Sequence, residues 1–284
     1  MRIAYQGEPG AFSEAAARRI SPDAPLIACR TFEEVFASVE AGSTDYGVVP
    51  IENSIGGSIH RNYDLLLSHE LPIVGEVELP VVHHLLALPG ATLDGLKRVY
   101  SHPQGLAQCE RFLRTLKGVE VIATYDTAGS AKMVADSNAF DAAAIASARA
   151  GEVFGLTSLA ASVQDFDDNI TRFLVVGRTP LKDVVPDKTS IVFSLPNEAG
   201  SLFKALSVFA LRGIDLTKLE SRPIPGRPWE YLFYVDLGIA RDEVACARAL
   251  AHLGEFASML RTLGTYPSWK THEGRMPDPF EVCS

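Results

Sequence analysis

The densest group of reactive side chains in the chain is the run QDFDDNITRF at positions 164–173. Asn169, Thr171 and Arg172 stand there beside three acids, and Phe173 opens an apolar stretch. The plain reading of this run is an acidic surface loop entering a strand, with Thr171 there for its β-propensity. The acids suggest a calcium loop, but the glycine and the distal glutamate of such a loop are absent. A second run, Glu52-Asn53-Ser54-Ile55-Gly56-Gly57-Ser58, offers a carboxylate, an amide and two hydroxyls. A third, QGEPGAFS from Gln6 to Ser13, places Gly7 and Gly10 where a strand turns into a helix. A fourth, Ser101-His102-Pro103-Gln104, has proline where a helix begins. Helix starts expose free N–H groups and a positive dipole end, so such turns suit an anionic ligand. Plainer readings exist for each: Ser58 as a cap, the glycines as turn formers, and Arg172 as a surface ion pair worth little.

Those runs need elements to hold them. Residues 2–5, 26–29 and 46–51 read as strands, alternating with helices over 11–20, 31–41 and 58–68. Thr31 and Glu34 have the spacing of a capping box. Residues 74–88 read as one long strand or two joined ones. Strands over 98–100, 119–124 and 142–146 then alternate with helices over 103–116 and 128–137. This rhythm predicts α/β architecture with mainly parallel sheets, in two lobes with a cleft between them. The polar turns then fall at strand C-termini, where open α/β sheets bind ligands.

Composition narrows the function. The 284 residues carry a formal net charge of −9, with 47% hydrophobic and 21% charged residues. An acidic chain lacks the basic footprint of nonspecific nucleic-acid binding, and no apolar run reaches the length of a bilayer span. The four cysteines have no metal-ligand spacing, and no H-E-x-x-H or phosphate-binding glycine motif occurs, so neither metal nor cofactor is expected. The opening MRIAYQGEPG reads as a strand and turn rather than a signal peptide, which points to the cytoplasm.

Residues 1–187 hold 15 basic and 24 acidic residues, whereas 188–284 hold 11 of each. The change falls at a two-proline stretch, giving a first domain over 1–178, a linker over 179–187, a second domain over 188–267 and a loose tail over 268–284. In the second domain, strands over 190–195, 215–222, 230–237 and 257–266 with helices over 200–211 and 242–252 give β-α-β-β-α-β, the ferredoxin-like order.

In these stretches the chain resembles the prephenate dehydratase family. YQGEPGAFSEAA, VVPIENSIGGSI, SHPQGLAQC and DNITRFLVV match its characteristic motifs in order, and N-I-T-R-F is the most specific. The second domain is similar to an ACT domain, on Asn197-Glu198-Ala199-Gly200-Ser201-Leu202 and Glu220-Ser221-Arg222-Pro223. It reads Ala199-Gly200-Ser201-Leu202 where that family usually has Pro-Gly-Ala-Leu.

The resemblance implies a periplasmic-binding-protein-like catalytic domain followed by the ACT domain, and loss of CO2 and hydroxide from prephenate to give phenylpyruvate, with no cofactor. It implies Thr171 as the proton donor and Arg172, Asn53, Ser54 and Gln104 as catalytic partners. Phe173, Asn169, Gly10 and Ser58 would bind substrate. L-Phenylalanine would be a feedback effector at Asn197, Gly200, Ser201, Leu202, Glu220, Ser221, Arg222 and Pro223. The protein would be a homo-oligomer, dimer or tetramer, without nucleic-acid or membrane partners. Two alternatives are an arogenate dehydratase and a non-catalytic amino-acid sensor.

Overall fold

The computed structural model describes residues 1–224 and 226–269. The described residues divide into two compact units, one of Met1–Tyr63 with Val77–Phe173, the other of Asp64–Glu76 with those from Leu174 onward.

The first unit has two lobes. In one, β1 (Ile3–Gln6), β2 (Leu26–Cys29) and β3 (Tyr46–Asn53) pair in parallel in the order β2-β1-β3. They are joined by α1 (Phe12–Ile20) and α2 (Phe32–Glu40). The capping box is present: the Thr31 hydroxyl accepts the Glu34 N–H at 3.2 Å, and the Glu34 carboxylate takes the Arg30 N–H at 2.8 Å. That cap fixes the entry of α2, whose Val35, Phe36 and Val39 are fully buried. After β3, a two-residue strand β4 (Gly57–Ser58) folds back antiparallel on it, and α3 (His60–Ser68) starts only at His60. Ser58 is therefore a ladder residue opposite Glu52, two residues before the helix.

The apolar stretch at 74–88 is two strands, β5 (Ile73–Pro80) and β6 (His84–Ala87). Pro80 brings no N–H to extend the first. The second lobe then adds β7 (Arg98–Ser101), α4 (Pro103–Ala107), α5 (Glu110–Leu113), β8 (Glu120–Ala123), α6 (Thr127–Ser137), β9 (Ala142–Ala146), α7 (Ala148–Phe154) and β10 (Thr157–Ala160). Their sheet runs β10-β6-β9-β7-β8. β7 is parallel to β8 and β9, but β6 pairs antiparallel with both β9 and β10, so this sheet is mixed rather than mainly parallel. The helix expected over 103–116 is two short ones broken at Gln108 and Cys109. The last strand, β11 (Ile170–Gly177), returns beside β3.

In the second unit, β12 (Lys188–Ser194), α8 (Ser201–Ala210), β13 (Leu216–Ile224), β14 (Arg227–Leu237), α9 (Val244–Gly254) and β15 (Met259–Tyr266) follow the βαββαβ order. The sheet runs β13-β14-β12-β15, antiparallel throughout. Ile191, Phe193, Val208, Phe209 and Leu253 form its core beneath α8 and α9. Residues 64–76 pack with this unit because its polar groups hold them: Arg261 donates to the carbonyls of Leu67 at 2.9 Å and His69 at 2.7 Å. Lys188 grips both oxygens of the buried Glu76 at 3.1 and 2.9 Å. The packing boundary thus falls after Phe173, inside β11, and residues 179–187 carry no helix or strand. Of the stretch expected to be a loose tail, Ser268 and Trp269 are docked, through Asp187 and Glu76 respectively, and 270–284 lies outside the described residues.

Candidate active site

A cavity of about 160 Å³ opens in the first unit. Phe12 and Ser13 from the first turn of α1, Gln104 and Gly105 from α4, and Thr127 at the start of α6 line it. Asn53, Thr171 and Phe173 come from β3 and β11, His83 precedes β6, and Gln108 closes α4. Lysine, arginine, aspartate and glutamate are all missing from this lining.

Asn53 is the hub. Its Oδ1 accepts the backbone N–H groups of Ile55 at 3.1 Å and Gly56 at 2.7 Å. Its Nδ2 faces the backbone carbonyl of Ile170 at 3.2 Å, the Oδ1 of Asn169 at 2.7 Å and the hydroxyl of Thr171 at 2.9 Å. Backbone N–H groups only donate and carbonyls only accept, so the amide's orientation is fixed from both ends. Thr171 therefore receives a hydrogen bond from Asn53. Its own proton must point elsewhere, and Thr171 lines the cavity. A second amide extends the chain: Gln108 Nε2 donates to Asn53 Oδ1 at 3.3 Å, and Gln108 Oε1 lies 2.9 Å from His83 Nε2.

Near the cavity, titration is governed by burial. Burial pushes the imidazoles of His83 and His102 below the usual histidine value, which keeps both neutral near pH 7. Burial pushes the Asp126 carboxyl up and the Cys109 thiol up to about 12, so that thiol is no nucleophile.

The structure brings Thr171, Asn53, Gln104 and Phe173 to the cavity, and Asn169 to the hub behind it. Gln104 packs its amide over Gly56, where a Cβ would collide with it. Ser54 is instead a clamp: its hydroxyl bonds the Asp168 carbonyl at 2.6 Å and the Ile170 N–H at 2.9 Å, holding β11 in place. Arg172 and Ser58 are not among the lining residues. Alternate residues of a strand face opposite ways, and Thr171 and Phe173 take the cavity side of β11. Gly10 serves packing: its φ is +89°, a Cβ would stand 2.6 Å from Ala150 Cα, and its N–H goes to the Glu14 carboxylate at 2.5 Å. Sequence reasoning missed Ser13, His83, Gln108 and Thr127 as lining residues. Gln108 had a signal, since it stands four residues after Gln104, on the same face of a helical turn.

In the second unit a smaller cavity of about 110 Å³ is lined by Asn197, Ser201 and Leu202 together with Trp229, Tyr231 and Phe233. Gly200 is the N-cap of α8, at φ +83°. Glu220, Ser221, Arg222 and Pro223 lie on β13, outside this lining, and Arg222 pairs with Asp64 at 2.8 Å. Among the described residues there is no cluster of three metal-ligating side chains, and no helix is long and apolar enough to cross a membrane.

Comparison with known proteins agrees with this organisation. Residues 3–181 match the family model for prephenate dehydratase, and residues 189–251 match that for the ACT domain. "Arogenate dehydratase/prephenate dehydratase 6, chloroplastic" of Arabidopsis thaliana is 51% identical, across 94% of this chain and 69% of its own. A solved prephenate dehydratase of Arthrobacter aurescens in complex with L-Phe is 31% identical with a TM-score of 0.88, covering 95% of this chain and 91% of that one. A structure described as GqqA, a novel type of quorum-quenching acylase, is 34% identical with a TM-score of 0.86, covering 99% and 100%. The cytoplasmic expectation is corrected by the first of these: a relative sharing half its residues is named as chloroplastic, so the form of the opening residues does not support a cytoplasmic location. By fold, by motif and by these matches, the chain belongs to the prephenate dehydratase family and carries an ACT domain after its dehydratase domain.

Proposed function

We propose that the chain catalyses the decarboxylating dehydration of prephenate to phenylpyruvate, and that L-phenylalanine bound at the ACT domain restrains it. The observation that carries this reading is the fixed direction of the Asn53–Thr171 hydrogen bond, which frees the Thr171 proton for a ligand in the cavity. In the reaction, the bond from the ring to its carboxylate breaks and CO2 leaves. The electron pair moves through the ring to expel the hydroxyl at the opposite carbon. That hydroxyl takes the Thr171 proton and departs as water, and Thr171 recovers its proton from solvent. Aromatisation drives the step. A threonine is a weak acid, so its contribution rests on position and on fixed dipoles around it. Without cationic side chains in the lining, the substrate carboxylates would be held by N–H and O–H donors such as Ser13, Gln104 and Thr127, aided by the starts of α1 and α6.

A second reading, arogenate dehydratase, changes only the side chain of the substrate, and the double name of the Arabidopsis relative favours keeping it. A hydrolytic reading, which the acylase name would suggest, needs a nucleophile bonded to a base. The bonded partner of Thr171 is an amide, and His83 Nε2 is engaged by Gln108. For regulation, the effector would enter the cavity beside α8, with Asn197, Gly200, Ser201 and Leu202 on one side and the β13 stretch Glu220–Pro223 completing the site in a homo-oligomer. The L-Phe complex of the Arthrobacter relative supports that assignment.

The test is product formation by the purified protein from prephenate and from arogenate, with and without L-phenylalanine. Phenylpyruvate from prephenate, suppressed by L-phenylalanine, is the expected result. Phenylalanine from arogenate alone would move the substrate and keep the mechanism. No product from either would overturn the reading and leave an amino-acid sensor.

A further inference from the structure

His83 is 2% exposed and has no place in the reaction as described above. Its backbone is anchored on both sides: its N–H goes to Gln164 Oε1 at 3.0 Å, and its carbonyl takes the Val163 N–H at 2.9 Å. Its ring meets Phe12 edge-on, with centroids 5.5 Å apart. The ring is thus held at a fixed place, with Nε2 2.9 Å from Gln108 Oε1.

The polarity of the Asn53 hub determines which proton His83 carries. Asn53 Oδ1 already accepts two backbone N–H groups, so the Gln108 atom facing it must be the NH2 group. Gln108 Oε1 then faces His83, and the imidazole nitrogen opposite must carry the hydrogen. His83 Nδ1 is buried with no hydrogen-bond partner among the described residues, so a hydrogen there would have no acceptor. The ring is the neutral Nε2–H tautomer. Gln108 has two amide hydrogens. One goes to Asn53, and the residue lines the cavity.

We propose that His83 is a positioning residue whose Nε2–H locks the Gln108 amide with its NH2 group, not its carbonyl, toward the substrate and the Asn53 hub. In a cavity lined without cationic side chains, an amide turned the wrong way replaces a donor to an anionic substrate with a repelling acceptor. The inference rests on the dehydratase reading.

The experiment compares His83→Gln with His83→Asn. Glutamine carries its amide N–H close to the place of imidazole Nε2, whereas asparagine carries it near Nδ1, out of reach of Gln108. His83→Asn should lower kcat/KM about tenfold, and His83→Gln should restore most of that loss. In a Gln108→Ala background the His83→Asn change should cost nothing more, because the amide it orients is gone. Equal losses in the two His83 variants, or the same loss with and without Gln108, would mean packing alone and would overturn the inference. So would wild-type turnover in His83→Asn. Wild-type turnover of prephenate or arogenate is measured alongside. Its absence would overturn the dehydratase reading and His83's role with it, which distinguishes the two failures.

Discussion

Asn53 spends its hydrogen-bonding capacity inside the protein, so in the proposed reaction it would act on substrate through Thr171 and Gln108 rather than by direct contact. Asn53→Ala removes the group that turns the Thr171 hydroxyl outward and strands two backbone N–H groups. The expected result is a loss of about 1–3 kcal/mol in urea unfolding together with a collapse of kcat. Unchanged kcat with lowered stability would reduce Asn53 to a fold residue. Much of this site was legible before the fold, because the N-I-T-R-F and E-N-S-I-G-G runs concentrate polar side chains at chain turns. Arg172 and His83 stand outside that pattern for opposite reasons. The period of two along a strand sets Arg172 against Thr171, and that could have been read from the sequence. His83 beside His84 gave no metal spacing, and its value comes from a contact with Gln108, 25 positions away, that no local pattern encodes.

Among the elements, the start of α1 depends on a glycine for shape rather than for binding. Gly10→Ala would bring both a left-handed backbone and a clash with the Ala150 backbone of α7. We expect it to lower the unfolding free energy by about 1–3 kcal/mol, read from the urea midpoint. A free Gly10 N–H waiting for an anion would instead predict a raised KM with unchanged stability. Most helices and strands were legible from periodicity and caps, as at Thr31–Glu34. Those misread were short or bent by partners: α4 and α5, the two-residue β4, and the antiparallel β6 and β10, whose pairing depends on distant strands. Ser54 shows the same limit, since its role as a clamp on β11 needs Asp168 and Ile170 brought alongside.

For the molecule as a whole, the buried Lys188–Glu76 ion pair and the buried histidines bear on how stability responds to change. Lys188→Met leaves the Glu76 carboxylate buried with the Trp269 N–H at 2.9 Å but without its cation, a loss of about 3–5 kcal/mol. The double variant Lys188→Met/Glu76→Leu should recover part of it, and a double variant as unstable as the single would contradict the pairing argument. Burial lowers His83, His84 and His102 below their ordinary value of about 6.5. Below that pH the unfolded chain binds protons that the folded one refuses, so stability is full above about 6.5 and falls as the medium acidifies. Urea unfolding between pH 5.5 and 7.5 should show that slope, shallower in His83→Gln. A slope of zero would contradict it.

The most direct test of the account is single-turnover product formation by Thr171→Ala beside wild type, on whichever of prephenate and arogenate the wild type converts, with L-phenylalanine binding measured on both proteins. The account predicts a rate lowered on the order of a hundredfold to ten-thousandfold, with L-phenylalanine binding unchanged. Product at the wild-type rate from Thr171→Ala would contradict it.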